Sequence, residues 1–379
     1  MQHESMIVDV ISAISEVSSV QWDGLMERPH PFMAHGFLSA LEESGSVRAN
    51  VGWQPAHALL RSNSGEVLAA VPGYVKQHSM GEYVFDHAWA QASERAGIAY
   101  YPKWLIAVPF SPVCGPRVIG RAAARSALLM ALPNVAAQLE LSGIHLNFPD
   151  QDLDTRELPG AGWLERLGCQ FHWHNRGFRD SQDFFDTLAS RKRKQMRKER
   201  ALVQQQGIEF EWLSAGSLTE LQWDVVYACY ANTYHVRGRM PYLTRDFFSL
   251  IGERMTECAR VLWVSRGGQA LATALYFVDE TTLYGRYWGC LEEVEHLHFE
   301  ACLYQGMEYA INQGLARFDA GAQGEHKLLR GFEPTLTHSW HYLGHERLRE
   351  AVAEFLGRER HAVVSYARAA ALQLPFRRI

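Results

Sequence analysis

No Cys-x-x-C pair occurs in the sequence: Cys114, Cys169, Cys229, Cys258, Cys290 and Cys302 stand apart. A chain of 379 residues can bury a core without covalent staples, so these read as reduced thiols rather than a disulfide framework or zinc ribbon. A long apolar run is also missing. The most membrane-like stretch, residues 122–141, carries Arg125, Pro133, Asn134 and Gln138, which excludes a spanning helix. The opening Met-Gln-His-Glu-Ser-Met has neither the cationic nor the apolar region of a signal peptide. A cytoplasmic protein without integral membrane association is therefore expected. An overall excess of basic charge is absent too, since 37 Lys and Arg stand against 42 Asp and Glu, a net of −5. The 47% apolar and 21% charged fractions exclude a disordered or collagen-like chain, and at about 150 residues per domain the length predicts two domains.

The charge that is present is unevenly placed. Residues 1–175 carry 11 basic and 17 acidic side chains, residues 176–207 carry 9 and 4, and the remainder 17 and 21. The cationic island is Arg191, Lys192, Arg193, Lys194, Arg197, Lys198 and Arg200, within a predicted helix over 183–206. Arg193 and Arg197, like Lys194 and Lys198, lie one turn apart, and Arg197 and Arg200 three residues apart, so these side chains share one broad face. Like charges at that spacing repel unless an anion or carboxylate lies alongside. The face suits the phosphates of a nucleotide carrier, a tRNA or a pyrophosphate-linked lipid head group; the plainer reading is a solvated helix surface.

Hydrophobic periodicity and turn residues predict a mixed α/β chain. In the C-terminal half, strand 208–213 precedes two helices, one capped by Ser217 or Thr219 and ending near Tyr234, the other capped by Thr244 and running from Arg245 to about Cys258. Strands 261–265, 270–278 and 282–289 follow, then a helix from 297 to about 313 with Gly314 as its C-cap. Strand 315–319, a short turn or helix at 325–331 and strand 335–343 complete the half. The N-terminal half has the same order: strand 7–11, helical stretches near 22–26 and 35–44, hairpin 56–60 and 67–75, strand 105–114, helix 122–141 and strand 144–148. It ends with a short helix at 163–167 and a strand at 169–174. One segment, 76–104, is an insertion containing a helix over 83–95. A long helix, 345–373, closes the chain, with Leu348, Val352, Phe355 and Leu356 on one face, and residues 376–379 are expected to fray.

This order resembles the GNAT acyltransferase fold, and two copies in tandem are similar to the Fem peptidoglycan aminoacyltransferases. The segment from Leu188 through Arg200 resembles the basic helix that opens the second Fem subdomain. Tyr230-Ala-Asn-Thr233 and Tyr242-Leu-Thr-Arg-Asp-Phe247 resemble its next two helices. Phe318-Asp319-Ala-Gly321 and Gly324-Glu325-His326-Lys327-Leu-Leu-Arg330-Gly-Phe332-Glu-Pro334 fall in register with the family's strand and Lys-x-x-x-Gly-Phe segment. Gly81-Glu-Tyr83-Val-Phe85-Asp86-His-Ala-Trp89, Tyr101-Pro-Lys103 and Leu297-His298-Phe-Glu300 resemble features of the Fem-like predicted N-acyltransferase group. The resemblance implies two tandem GNAT-like domains with mixed central sheets flanked by helices: residues 1–175, residues 176–344 opening with the basic helix, and a terminal helix at 345–379 packing on the body. It also implies joining of an activated acyl group to an amine, with aminoacyl-tRNA as favoured co-substrate and no resident cofactor. The acceptor would be a small molecule, a peptide or a cell-wall precursor. By register, Lys327 would contact substrate.

The residues themselves allow this chemistry. Acyl transfer to an amine needs alignment, a base and donors for the tetrahedral oxyanion, so the lack of a Ser-His-Asp or Cys-His pattern is no objection. His298, Glu300 and Asp319 are the candidate bases, and Lys327 and Arg330 could neutralise developing charge. Glu325, His326, Arg330 and Phe332, with Tyr230 and Tyr242, are expected to touch substrate; the alternative for this loop is a solvated turn with a structural ion pair. Asp86 and Lys103, amid Tyr83, Phe85, Trp89, Tyr100 and Tyr101, could bind an acceptor or a sugar ring, or belong to a packed surface. Arg193, Lys194, Arg197, Lys198 and Arg200 would hold the carrier, with tRNA over 191–200. Coenzyme A enzymes of this fold hold pyrophosphate on a glycine-rich loop before the helix at 297. Here that stretch reads Gly289-Cys-Leu-Glu-Glu-Val-Glu-His-Leu-His, whose negative charge disfavours an anion. An acyl-coenzyme A transferase is thus the alternative, and a non-catalytic RNA- or precursor-binding protein of the same fold a further one. His296, His298, His326, His338, His341 and His345 lie close in sequence, but no four-ligand signature is present and no metal is expected.

Overall fold

The computed structural model describes residues 6–322 and 324–377. Its strands and helices, in chain order, are β1 (Ile7–Ile11), α1 (Ser19–Asp23), α2 (His35–Glu43), β2 (Trp53–Pro55), β3 (His57–Arg61), β4 (Val67–Val71), β5 (Gly73–Lys76), α3 (His87–Arg95), β6 (Lys103–Ile106), β7 (Ile119–Gly120), α4 (Ala122–Gln138) and β8 (Gly143–Asn147). These are followed by β9 (Leu164–His174), α5 (Ser181–Thr187), α6 (Ser190–Gln204), β10 (Ile208–Ser214), α7 (Glu220–His235), α8 (Arg245–Arg254), β11 (Ala259–Arg266), β12 (Gln269–Val278) and β13 (Thr282–Cys290). The last are α9 (Leu297–Phe299), α10 (Gln305–Asn312), β14 (Arg317–Asp319), β15 (Glu333–Leu343) and α11 (Glu346–Ala371). Glu300–Tyr304, between α9 and α10, form a π turn, so the expected helix over 297–313 is present with one wide turn inside it. Local signals set several boundaries. Thr219 accepts from Gln222 N and Gln222 answers through its side chain, a capping box that starts α7. Gly314, at φ 68°, stops α10.

Two compact units divide the chain, residues 1–168 with 336–364 and residues 169–335 with 365–379. The first unit holds a four-stranded sheet, β1-β3-β4-β7, and a second run, β15-β8-β6-β5-β2, in which β6 and β8 are parallel. Its core collects Ala58, Trp104, Ile106, Leu128, Leu132, Leu146 and Trp163. Beside it, Leu348, Val352 and Leu356 of α11 pack with Trp89, Tyr100 and Leu343. Phe355, expected on that face, is instead exposed. The second unit's run is β10-β11-β12-β13-β14-β9, antiparallel except for the parallel pair β13 and β14. Its core includes Phe171, Phe184, Leu262, Tyr276, Leu283, Met307 and Phe318.

The same arrangement is thus built twice, with its last strand exchanged. Residues 172–174 of β9, expected to finish the first copy, pair with β14. Residues 339–343 of β15, expected to finish the second, pair with β8. Strand order along the chain contains no record of which partner a final strand takes, because that pairing is non-local.

Other expectations give way for local reasons. The stretch 163–167 is not helical: β9 begins at Leu164, after a 3₁₀ turn over Pro159–Ala161. The strand expected over 105–114 ends at Ile106, and the hairpin arm over 67–75 breaks at Pro72, which cannot donate to a ladder, giving β4 and β5 in different sheets. The helix expected over 83–95 starts only at His87, since Tyr83 sits at φ 60°. The basic helix is two: α5 ends at Thr187 and α6 begins at Ser190, with extended Leu188 and Ala189 between. Of the end expected to fray, Phe376 pairs with Leu188 and Arg377 N donates to Thr187 O, while residues 378 and 379 lie outside the described residues.

Candidate functional site

In the second unit, β13 and β14 keep register only from Thr282–Arg317 to Tyr284–Asp319. Beyond that point β14 has ended, while β13 runs on to Cys290. The gap is a cavity of about 130 Å³ lined by Ala274, Tyr276, Gly285, Arg286, Tyr287, Trp288, His298, Cys302 and Ala320. His298 and Cys302 reach it from α9 and the π turn. The wide turn adds a residue to the helix and so shifts which side chains point inward. Gly285 permits close packing here, since a Cβ there would meet the Tyr276 and Phe318 rings at 3.1 and 3.4 Å.

The polar side chains around this cavity are braced. Asp319, at the end of β14, accepts from Arg286 Nη2 at 2.6 Å and from Gly321 N at 2.8 Å, with both charged side chains 2% exposed. Burial alone would raise its pKa; Arg286, seconded by His172, holds the carboxyl well below the ordinary range. Lys327, from the 3₁₀ turn Glu325–Arg330, donates to Ala320 O and Gly321 O, both at 2.7 Å. Its third N–H has no partner, and no carboxylate comes within ion-pair reach of it, among the described residues. Burial lowers its pKa to about 8, with Asp319 opposing and Arg286 reinforcing the shift. A buried ammonium held only by carbonyls is costly to keep and disposed to meet an anion.

Next to the cavity runs a second network. Arg200 of α6 donates to Glu300 Oε1 at 2.9 Å and to Glu308 Oε2 at 2.8 Å. The preceding residue, Glu199, accepts from Arg330 Nη2 at 2.7 Å and from Tyr304 Oη at 2.6 Å, while Arg330 lies 3.6 Å from the Phe299 ring centre. The inner edge of the basic helix is thereby fastened to the π turn and to the Lys327 loop. Its outer face leaves Arg191, Lys194, Arg197 and Lys198 exposed, with Arg193 paired to Asp186.

These contacts sort the residues named from sequence. Lys327, His298, His326 and Arg330 are brought together: the His298 and His326 rings lie 6.0 Å apart, and partial desolvation with the charges of His326, Lys327 and Arg330 lowers the pKa of His298, which keeps one side exposed, leaving its imidazole neutral. Glu300 and Asp319, expected as candidate bases, are engaged in ion pairs with Arg200 and Arg286. Arg200 belongs to that bracing rather than to the free cationic face. Phe332 is fully buried in the core. Tyr230, 3% exposed, accepts from Leu243 N and packs edge-on against Tyr287 at the cavity wall. Tyr242 packs edge-on against Tyr234, and Glu325 is exposed and accepts from Tyr366 Oη. Sequence reasoning missed Arg286, whose signal is a charge inside the apolar strand β13, and Glu199, an acid at the inner edge of a basic helix.

Asp86 and Lys103 lie in the first unit, wholly buried. Lys103 Nζ donates to Asp86 Oδ2 at 2.5 Å, Glu82 Oε2 at 2.8 Å and Ser79 Oγ at 2.8 Å, and Tyr100 Oη donates to Asp86 at 2.6 Å. His145 and His341 share a 2.7 Å Nδ1 contact beside them, both held neutral chiefly by burial. These two residues therefore form a packed polar layer and do not face solvent. After the parallel register of β6 and β8, the chain returns to that strand's end: Gly115 N donates to Phe148 O and Asp150 N to Gly115 O. The opening left in the second unit is bridged here. Among the described residues, no group of three or more His, Cys, Asp or Glu side chains is placed to hold a metal ion, and no helix is long and apolar enough to cross a membrane.

No curated protein sequence matches the chain. Among solved structures, FemX superposes with a TM-score of 0.54 at 10% identity, over 89% of this chain and 98% of that one. L-PGS from Bacillus licheniformis gives 0.53 at 10% identity, over 88% and 98%. At such identity these likenesses establish the fold. The FemAB-like family, described by peptidoglycan biosynthesis and recognition, matches residues 13–378. With a tandem GNAT-like architecture and an opening between parallel strands flanked by Lys327, the chain belongs to the FemAB-like family and is an acyl or aminoacyl transferase.

Proposed function

We propose that the chain transfers an aminoacyl group from an aminoacyl-tRNA to the amine of a small molecule, peptide or cell-wall precursor, in the cytoplasm. The observation that carries this reading is Lys327, a buried ammonium with a spare donor beside the only parallel-strand opening that is left unbridged among the described residues. The acyl group would enter the cavity and the carrier's phosphates would run along Arg191, Lys194, Arg197 and Lys198. The amine nitrogen attacks the ester carbonyl, a C–N bond forms, and the oxygen acquires negative charge that the free N–H of Lys327 stabilises. Neutral His298 accepts the proton lost by the attacking nitrogen. The C–O bond to the carrier then breaks, and the leaving oxygen takes that proton from His298 to become the carrier's free hydroxyl. Glu300, Asp319 and Arg200 hold these parts in place.

Lys327→Met tests the reading: it removes the donor with little change of volume, and transfer is expected to fall at least a hundredfold with the fold retained. A variant that transfers at the wild-type rate would refute it. A coenzyme A thioester is the second donor worth testing, because beyond Tyr284 no strand runs beside that edge of β13 among the described residues, and an extended pantetheine arm could lie there. Against it, Glu292, Glu293 and Glu295 are exposed just before α9, where a pyrophosphate would have to sit. Equilibrium titration with coenzyme A and with tRNA separates the two donors.

A further inference from the structure

The segment 79–86 of the first unit is inside out. Its polar side chains, Ser79, Glu82 and Asp86, are 7%, 2% and 1% exposed, whereas Met80 and Phe85 are 53% and 59% exposed. Soluble segments ordinarily divide the other way, and it is the buried charge and the exposed large apolar side chain that carry information. The inversion is held by specific contacts. Lys103 grips all three polar residues, Tyr100 donates to Asp86, and Ser79 bonds Tyr101 Oη at 2.8 Å. The backbone is set accordingly. Gly81 has φ 81° and Tyr83 φ 60°, a left-handed conformation that is costly for an aromatic residue. A Cβ on Gly81 would come within 2.8 Å of the Phe110 ring, so the turn is seated firmly on the unit.

The outward surface has a distinct chemistry. From residue 77 to 90 the only carboxylates are Glu82 and Asp86, and both are turned inward and neutralised. What the segment itself leaves outside is Met80 and Phe85, with Tyr83, Val84 and His78 half-buried, Gln77 and His87 exposed, and no acid of its own; the charge beside it is Arg166, which donates to Phe85 O at 2.9 Å and pairs with Glu359. Withdrawal of the acids matters for one kind of partner in particular. A carboxylate at a bilayer surface is repelled by anionic head groups and penalised on entering the interface, whereas aromatic and thioether side chains are favoured there.

We propose that residues 79–86 are a peripheral membrane contact, with Met80 and Phe85 entering the interfacial region of a phospholipid bilayer. The inference does not rest on the reaction proposed above. It assigns a role to the Gly81–Trp89 and Tyr101–Lys103 features that the transfer site does not use: the buried ion pairs form a rigid base that keeps acids in and apolar groups out.

The test is sedimentation of the full chain with vesicles of phosphatidylcholine alone and of phosphatidylcholine with phosphatidylglycerol. Wild type is expected to pellet with both. Met80→Ser with Phe85→Ser, both at exposed positions, is expected to lower the partition coefficient at least tenfold, the scale set by loss of about half of each side chain's burial. Circular dichroism and the thermal midpoint of the double variant should match wild type. Wild type remaining in the supernatant with both vesicles at millimolar lipid would overturn the proposal. So would a concentration-dependent dimer, seen by light scattering without lipid and abolished by the same double variant, which would make the surface a contact between copies. Failure of the transfer reading, seen as no activity with any donor, leaves the sedimentation result unaffected.

Discussion

Asp319→Asn separates a base from a brace. In the structure Asp319 and Arg286 meet at 2.6 Å with 2% exposure each, and the carboxylate also accepts from Gly321 N, which positions the carbonyls that hold Lys327. Removing the negative charge leaves a buried guanidinium without its partner. Two charges about 4 Å apart at an effective dielectric near 20 interact by about 4 kcal/mol, and truncating one member of a buried pair costs about 3–5 kcal/mol. The expected loss for Asp319→Asn is therefore about 4 kcal/mol, read by urea unfolding with tryptophan fluorescence. Replacing both partners by apolar residues, Asp319→Leu with Arg286→Met, should recover most of it, because no uncompensated charge remains. Acid should act in the same direction. The folded pKa is depressed below 3.8, so this stabilisation is complete above that ordinary value and is lost as pH falls through the folded value. An Asn variant within about 1 kcal/mol of wild type, with transfer nevertheless abolished, would refute the brace and restore Asp319 as a catalytic base.

Three further outcomes follow from the same contacts. Lys103→Met should be among the most destabilising single changes in the first unit, by about 3–5 kcal/mol, since Glu82 and Asp86 would be left buried and unpaired; a thermal midpoint near wild type would contradict it. Transfer that depends on protonated Lys327 should decline as pH rises through about 8, and a flat rate–pH profile to pH 9.5 would remove Lys327 from that role. Exposed Lys194, Arg197 and Lys198 changed to Ala should leave the unfolding curve unmoved while reducing tRNA affinity and the slope of log affinity against log salt by roughly one unit per lost phosphate contact, whereas Arg200→Ala should lower stability as well.

Much of the site is legible in the sequence. The loop from Gly324 to Phe332 stands out because glycines and four charged or ionisable side chains follow a short apolar strand, and the fold sets Lys327 and His298 around one cavity. The cationic island stands out by simple counting. What the residue order does not reveal is which member of each group is free. Glu300 and Arg200 are 100 residues apart in sequence, and nothing local marks them as partners; the same holds for Arg330 and Glu199. Asp86 and Lys103 have the pattern of ligand-binding residues because charge beside aromatics is common to binding sites and to buried polar layers, and only burial distinguishes them.

The sequence alone determined most of the element order, through alternation in the strands, capping residues such as Thr219 and Gly314, and the turn at Gly267-Gly268. It also determined that positive charge would be concentrated over 191–200. These are properties of neighbours along the chain, where periodicity and turn chemistry act. Tertiary structure decided the exchange of β9 and β15, the divergence of β13 from β14 that opens the cavity, and the division of charged residues into braces and free groups. Each depends on contacts between residues distant in sequence, whose energies are set by burial and pairing, and a buried charge keeps no local signature of the partner that compensates it.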